Sequence, residues 1–193
     1  MNPVQLAKAN KEHSHQRAFF AWCNMAFRYG YDVAQDMEAY TNPNYYKELG
    51  RGDPRLEWIH AIPNGGLRNK ATASNLKAEG VKSGVLDVFL PTPAVYTFRP
   101  EDGVQRQAMY AGLYIEFKEP KKATVKEGGL TPKQVEFTAY ARNAGYCVRV
   151  AYNWAAAANL VMLYLGVVDY HLTNIPDYAN GVVELNGKDD NGY

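Results

Sequence analysis

Two short stretches decide how this chain is read: Val85-Leu86-Asp87-Val88-Phe89-Leu90 and Leu113-Tyr114-Ile115-Glu116-Phe117-Lys118. Both are rich in β-branched and aromatic residues, which predicts strands over 85–90 and 113–117. A strand turns successive side chains to opposite faces, so Glu116 and Lys118 share one face and Phe117 takes the other. A lone Glu-x-Lys pair reads most simply as a salt bridge at a sheet edge. Asp87 changes the weighing, because it interrupts an otherwise apolar strand, where a charge is costly unless paired or metal-bound. With the two strands as neighbours, two carboxylates and an ammonium meet at one spot. Hard cations such as Mg²⁺ take carboxylate oxygens plus water and leave positions open for phosphate oxygens. Such an ion acidifies water and neutralises charge developing on a phosphate. A nearby lysine can hold that water or stabilise the transition state.

Outward from these strands, the spacing predicts a helix over 11–28, with Phe19, Trp22, Cys23 and Ala26 on one apolar stripe. Glu12 and Gln16 continue the same stripe. Either they carry polar chemistry into the interior, or they mark a first turn where Glu12 suits the helix dipole. Residues 30–55, rich in Tyr, Asn and Gly, read as an irregular insertion or loop. A short strand is expected over 58–62, ended by Pro63-Asn64-Gly65-Gly66, and a helix over 71–79, stopped by Gly80. Residues 91–107 read as a long hairpin connection. Thr131-Pro132-Lys133-Gln134 opens a helix that closes at Gly145, with Thr as N-cap, Pro at the first helical position and Gln three after the cap. Gln134 is thereby open to a purely capping role. A strand over 146–152 and an apolar helix over 155–165 complete the pattern: a small mixed sheet flanked by helices, of the α/β class. A single domain over 1–166 is expected, followed by an Asn/Gly/Asp-rich extension over 167–193 that is partly flexible.

Bulk properties narrow the function. The 47% hydrophobic and 21% charged shares are those of an ordinary folded chain of 193 residues. Cys23 and Cys147 stand alone, which argues against a zinc site or a disulfide framework and suits a reducing cytoplasm. No apolar run is long enough to span a bilayer, so no membrane partner is expected. The net charge of +1 is unevenly spread. Residues 66–133 carry eleven basic and seven acidic side chains, while residues 134–193 carry three and six. A basic middle third is weak support for a polyanion partner. Arg68, Lys70, Lys77, Lys82, Lys121 and Lys122 are candidate phosphate contacts, though each alone is an ordinary solvated charge. His13 and His15 have no acidic partner in a motif. Nucleophile triads, phosphate-cradling glycine loops and dinucleotide fingerprints are absent, so no nucleotide cofactor is expected.

Several ordered motifs together resemble the VRR-NUC family of the PD-(D/E)XK nuclease superfamily, in its stand-alone, phage or bacterial form. They are Ile62-Pro63-Asn64-Gly65-Gly66-Leu67-Arg68, the run from Leu76 through Lys82-Ser83-Gly84-Val85-Leu86-Asp87, Gly112 to Lys118, Leu130 to Gln134, and Gly145-Tyr146-Cys147-Val148. Glu12-His13-Ser14-His15-Gln16 and the helix ending Tyr164-Leu165 resemble the family's two ends, so the likeness spans about residues 11–166. It implies a restriction-endonuclease-like core. It also implies that Asp87, Glu116 and the Phe117 carbonyl hold Mg²⁺ or Mn²⁺, that Lys118 serves the attacking water, and that Glu12 and Gln134 complete the site. Leu86 departs from the family's usual proline, which would only set the backbone there. The implied activity is a structure-specific DNA endonuclease acting on branched DNA such as Holliday junctions. Flap or end processing, or a nuclease-fold DNA-binding module without turnover, are the alternatives. A homodimer is implied as well, with the Tyr-rich insertion (Tyr40, Tyr45, Tyr46) and the last helix (Val161, Met162, Leu165) as candidate contact surfaces. For the last helix, filling the core is the simpler reading.

Overall fold

The apolar stripe of the first long helix is where the core begins. In the computed structural model, which describes residues 1–42, 51–63, 70–98 and 106–167, helix α2 (Glu12–Tyr29) buries Ala18, Phe19, Trp22, Cys23 and Ala26 along one side. It is preceded by a short helix α1 (Pro3–Ala7) and followed by α3 (Tyr31–Gln35), β1 (His60–Ala61) and α4 (Lys70–Ala78). Next come β2 (Val88–Leu90), β3 (Ala94–Phe98), β4 (Arg106–Tyr110) and β5 (Leu113–Phe117). Helix α5 (Pro132–Asn143), β6 (Cys147–Ala151) and α6 (Trp154–Tyr164) complete the described elements.

Among the described residues, one sheet runs in the order β1-β2-β5-β6. β1, β2 and β5 are antiparallel neighbours, and β6 lies parallel to β5, so the sheet is mixed as expected. A parallel pair needs a crossover, and α5 supplies it between β5 and β6. Val88 and Leu90 of β2 and Leu113, Ile115 and Phe117 of β5 all turn to one face. There they meet α2 and α6 in the main core. On the other face Leu86, Ala141 and Val148 form a second apolar cluster with Tyr114, Phe137 and Tyr146. Helix α5 therefore covers the face opposite α2 and α6, giving a three-layer α/β arrangement.

Several boundaries differ from the sequence expectations, each for a visible reason. The strand expected over 58–62 shrinks to two residues, because a 3₁₀ turn at Pro54–Leu56 carries on through a bond from the Ile59 amide to the Leu56 carbonyl. Trp58 is left 70% exposed. The strand expected over 85–90 starts at Val88, since Leu86 is drawn between the sheet and α5. Residues 91–107 are more than a connection: they carry all of β3 and the start of β4, antiparallel partners from Ala94↔Tyr110 to Phe98↔Arg106. The 30–55 segment is not wholly irregular either. Tyr31, Val33, Ala34 and Ala39 are buried, and Asp53 bonds the Tyr31 hydroxyl at 2.7 Å and Arg55 at 2.7 Å. A buried carboxylate needs such partners, and Arg55 in turn ties the segment to the Leu165 carbonyl at 2.8 Å. Residues 43–50 of that insertion, with Tyr45 and Tyr46, fall outside the described residues, as does the extension after Val167.

Val161, Met162 and Leu165, at and just after the end of α6, are all buried in this chain's own core, the simpler of the two readings weighed for them. Tyr40 is half-buried and donates to the Ala34 carbonyl at 2.9 Å. No helix among the described residues is long and apolar enough to cross a membrane.

Phe19 is wholly buried and packs against Phe117, the residue between Glu116 and Lys118, with ring centroids 5.6 Å apart. Phe19→Ala is therefore expected to cost about 3–5 kcal/mol, read as a lowered midpoint in urea denaturation. A loss under about 1 kcal/mol would mean that this contact does not support the strand.

Candidate active site

The strand β5 places Glu116 on the α5 face, with a relative exposure of 1%. Burial alone raises the pKa of a carboxyl group, and Glu116 is pushed up to about 7, first by desolvation and then by the charge of Asp87. Its two oxygens are used unequally. Oε1 accepts from the Lys118 ammonium and from the Gln134 side-chain amide, while Oε2 is buried and has no hydrogen-bond partner among the described residues.

Asp87 arrives from the neighbouring strand. The β2–β5 register pairs Val88 with Ile115, so the next step along each chain sets Asp87 beside Glu116. Asp87 Oδ2 accepts from the Phe117 backbone amide at 2.9 Å, which fixes the carboxylate against β5. Its own carbonyl accepts from the Ile62 amide at 2.7 Å, tying it to the end of β1. The loop before it is held close to α5. Gly84 has a left-handed φ of +93°, and a Cβ there would lie 2.7 Å from the Lys133 carbonyl oxygen, so only glycine permits the approach. Lys133 Nζ donates to Ser83 Oγ at 2.9 Å across the same contact.

The Gln134 side chain makes contacts in two directions. Its Oε1 accepts from the Thr131 backbone amide at 3.0 Å, completing a capping box at the start of α5. Its amide nitrogen donates to Glu116. One side chain thus starts the helix and restrains the buried carboxylate. Lys118 is 8% exposed and pairs with Glu116 on the same face, as strand alternation requires. Phe117 turns the other way into the core. Glu12 opens α2, half-buried, and its pKa is raised mainly by burial; the Lys118 ammonium opposes this, and the Asp87 and Glu119 carboxylates add to it. Glu116, Lys118 and Gln134 are therefore joined by hydrogen bonds, Asp87 is held beside them by the Phe117 amide, and Glu12 is coupled electrostatically to Lys118 and Asp87. Gln16 is half-buried one turn further along α2.

The peripheral cations are less gathered. Lys77, Lys82, Lys121 and Lys122 are exposed, and Lys121 pairs with Glu119 at 2.6 Å. Lys70 opens α4, and Arg68 lies outside the described residues. Tyr152 was not singled out by sequence. It directly follows Ala151, the β6 partner of Phe117, and lies close enough to Lys118 for the ammonium to act on its phenol. Period-two alternation from Val150 would have flagged it, had the register with Glu116 been known.

Among the described residues no group of three or more His, Cys, Asp and Glu side chains is disposed to hold a metal ion. The residues nevertheless fit a hard cation of the Mg²⁺ type, which binds through one or two carboxylates and keeps several waters. Glu116 Oε2 is a buried acceptor lacking a donor, Asp87 lies beside Glu116 by strand register, and the Phe117 backbone amide holds the Asp87 carboxylate.

No family model matches this chain, and no curated protein matches it either. A solved structure named VRR_NUC domain protein is similar with a TM-score of 0.47 and 20% identity, over 81% of this chain and 88% of that one. A likeness that loose leaves the chemistry to be read from the residues themselves.

The raised pKa of Glu116 has a consequence for stability. A carboxyl group held more tightly protonated in the fold than in the unfolded chain makes stability fall as pH rises, here between the ordinary value of 4.5 and about 7. Asp87→Asn removes the second cause and leaves burial, so the Glu116 midpoint should move part-way down and the pH-dependent loss should shrink. Carboxyl ¹³C shifts in metal-free protein check this, and an unmoved midpoint would separate Asp87 from Glu116.

Proposed function

We propose that this chain is a divalent-metal-dependent nuclease that hydrolyses DNA phosphodiester bonds, with Asp87, Glu116 and the Phe117 carbonyl holding Mg²⁺ or Mn²⁺. The observation that carries the reading is the half-used Glu116 carboxylate. Lys118 and Gln134 both bond one oxygen, and the other is buried with no donor, while Asp87 stands beside Glu116 on the neighbouring strand. Leaving a buried acceptor unsatisfied costs on the order of 1–3 kcal/mol. A structural salt bridge gains nothing by leaving it so, whereas a cation site requires it.

When bound, the ion supplies Lewis acidity for acidifying water and neutralising charge on the phosphate. The protein's own groups do the rest. Lys118 opposes the upward shift of the Glu116 pKa, since a hydrogen bond to the charged form favours it, and Lys118 and Gln134 together orient the carboxylate. The Lys118 ammonium, anchored at the edge of the site, is placed to donate to an attacking water or to a phosphate oxygen. Glu12, with its raised pKa, sits where it can take or return a proton. The ordered motifs shared with VRR-NUC nucleases add branched DNA, Holliday junctions among them, as the favoured substrate. They also add a homodimer, because two cuts on a two-fold symmetric branch suit a two-fold symmetric enzyme. Lys77, Lys82, Lys121 and Lys122, with Arg68 and Lys70, are the proposed phosphate contacts. A reducing cytoplasmic setting suits the two free cysteines.

Cleavage of a panel of linear, flap, fork and four-way DNA, with and without Mn²⁺, tests the reading. Asp87→Ala should abolish cleavage. Glu116→Gln should do so too, and should also lose the rise in melting temperature that Mn²⁺ gives the native protein. Glutamine is chosen at 116 because alanine would strip the buried Lys118 of its partner and unfold the site. Metal-independent cutting, or Mn²⁺ stabilisation that survives Glu116→Gln, would overturn the assignment.

Lys118→Ala separates rate from grip. The cleavage rate should fall by about 10²–10⁴, while DNA affinity should change by less than about tenfold, because phosphate binding is spread over many cations. Affinity that collapses in step with the rate would make Lys118 a binding residue. A monomer by light scattering, alone and on four-way DNA, would leave a flap- or end-processing enzyme.

A further inference from the structure

The segment between Lys118 and α5 is held in an unusual shape by a residue that the proposed chemistry does not use. Glu127, Gly128 and Gly129 have φ values of +55°, +60° and +78°, three left-handed residues in succession. One of them is not glycine, and such a backbone persists only where its surroundings over-determine it. The surroundings here are Tyr152 and Lys122. The Tyr152 hydroxyl donates to the Gly128 carbonyl at 3.3 Å, and a Cβ on Gly128 would lie 2.5 Å from that hydroxyl oxygen. The stem of Lys122 lies over Gly129, where a Cβ would meet it at 3.0 Å. Within the turn, the Gly128 amide bonds the Val125 carbonyl and the Leu130 amide bonds the Glu127 carbonyl, each at 3.0 Å.

Tyr152 also faces the site. β6 pairs Glu116 with Val150 and Phe117 with Ala151, and the Lys118 amide donates to the Ala151 carbonyl at 3.0 Å. The next residue of each strand, Lys118 and Tyr152, therefore shares the face of Glu116. The half-buried phenol thus touches two things at once: the neighbourhood of Lys118 and the left-handed turn. Between these points run Lys121, Lys122 and Lys126, all exposed.

We propose that Tyr152 is a positioning residue that pins the basic arm over residues 119–130 beside Lys118, so that Lys121, Lys122 and Lys126 grip the phosphates flanking the bond to be cut. What the arm grips rests on the nuclease reading; that Tyr152 holds it does not. The hydroxyl acts on the arm and the chemistry stays with Lys118, so its loss weakens DNA binding rather than turnover.

Tyr152→Phe tests this, with Gly128→Ala as a second variant that displaces the same hydroxyl from the other side. In amide hydrogen exchange, Tyr152→Phe should leave the core protected and speed exchange at Gly128 and Leu130. On fluorescein-labelled flap DNA with Mn²⁺, KM should rise by about tenfold, with kcat within about threefold and a shallower salt dependence. Gly128→Ala should reproduce the pattern, and the double variant should be no worse than the more severe single one. Unchanged exchange at Gly128 and Leu130 overturns the proposal, as do a fall in kcat with KM unmoved and additive effects in the double variant. If the native protein cuts no DNA on the panel, the nuclease reading fails. Exchange alone then decides whether Tyr152 holds the arm.

Discussion

An ionisable carboxyl group held at 1% exposure is the constraint around which this molecule is organised. Removing such a group from water is expensive, and the usual relief is a partner or a shifted pKa. Glu116 shows both. Lys118 and Gln134 engage one oxygen, and the pKa is still pushed up to about 7, first by burial and then by the charge of Asp87. Lys118 follows on from the same strand, but Asp87 and Gln134 belong to other parts of the chain, so the elements must be assembled in one arrangement around the carboxylate.

That requirement explains features remote from the chemistry. Phe117 anchors β5 in the core from the opposite face, packed against Phe19 of α2 in a tilted pair, and so holds Glu116 and Lys118 together on the other face. Gly84 lets the loop before Asp87 close on the first turn of α5, which brings Gln134 within reach. The capping box shows why this is economical. The amide of Gln134 has an acceptor for the Thr131 amide and a donor for Glu116, so the geometry that starts the helix also orients the site. A glutamate could serve the cap, but it would set a third carboxylate against Glu116.

The outer parts of the molecule are held by satisfied polar groups instead of apolar packing alone. Asp53, with Tyr31 and Arg55, fastens the described part of the insertion to the end of α6. The left-handed turn at Glu127–Gly129 is fastened by Tyr152 and the Lys122 stem. Both are places where an irregular backbone is fixed by one or two specific side chains.

The sequence by itself determined the elements with strong local signals: the stripe of α2, the cap of α5, the apolar β5 with Glu116 and Lys118 on one face. These follow from the periods of helix and strand and from end chemistry, which are local properties. The same kind of cap, Asn2-Pro3-Val4-Gln5, opens α1, an element that the apolar pattern did not predict. Tertiary structure decided the rest. Whether Asp87 meets Glu116 depends on register between strands 30 residues apart, whether Gln134 caps or orients depends on how α5 lies across the sheet, and whether α6 is core or surface depends on α2. Those are distances between segments, set by packing of all layers at once, and no window of residues contains them.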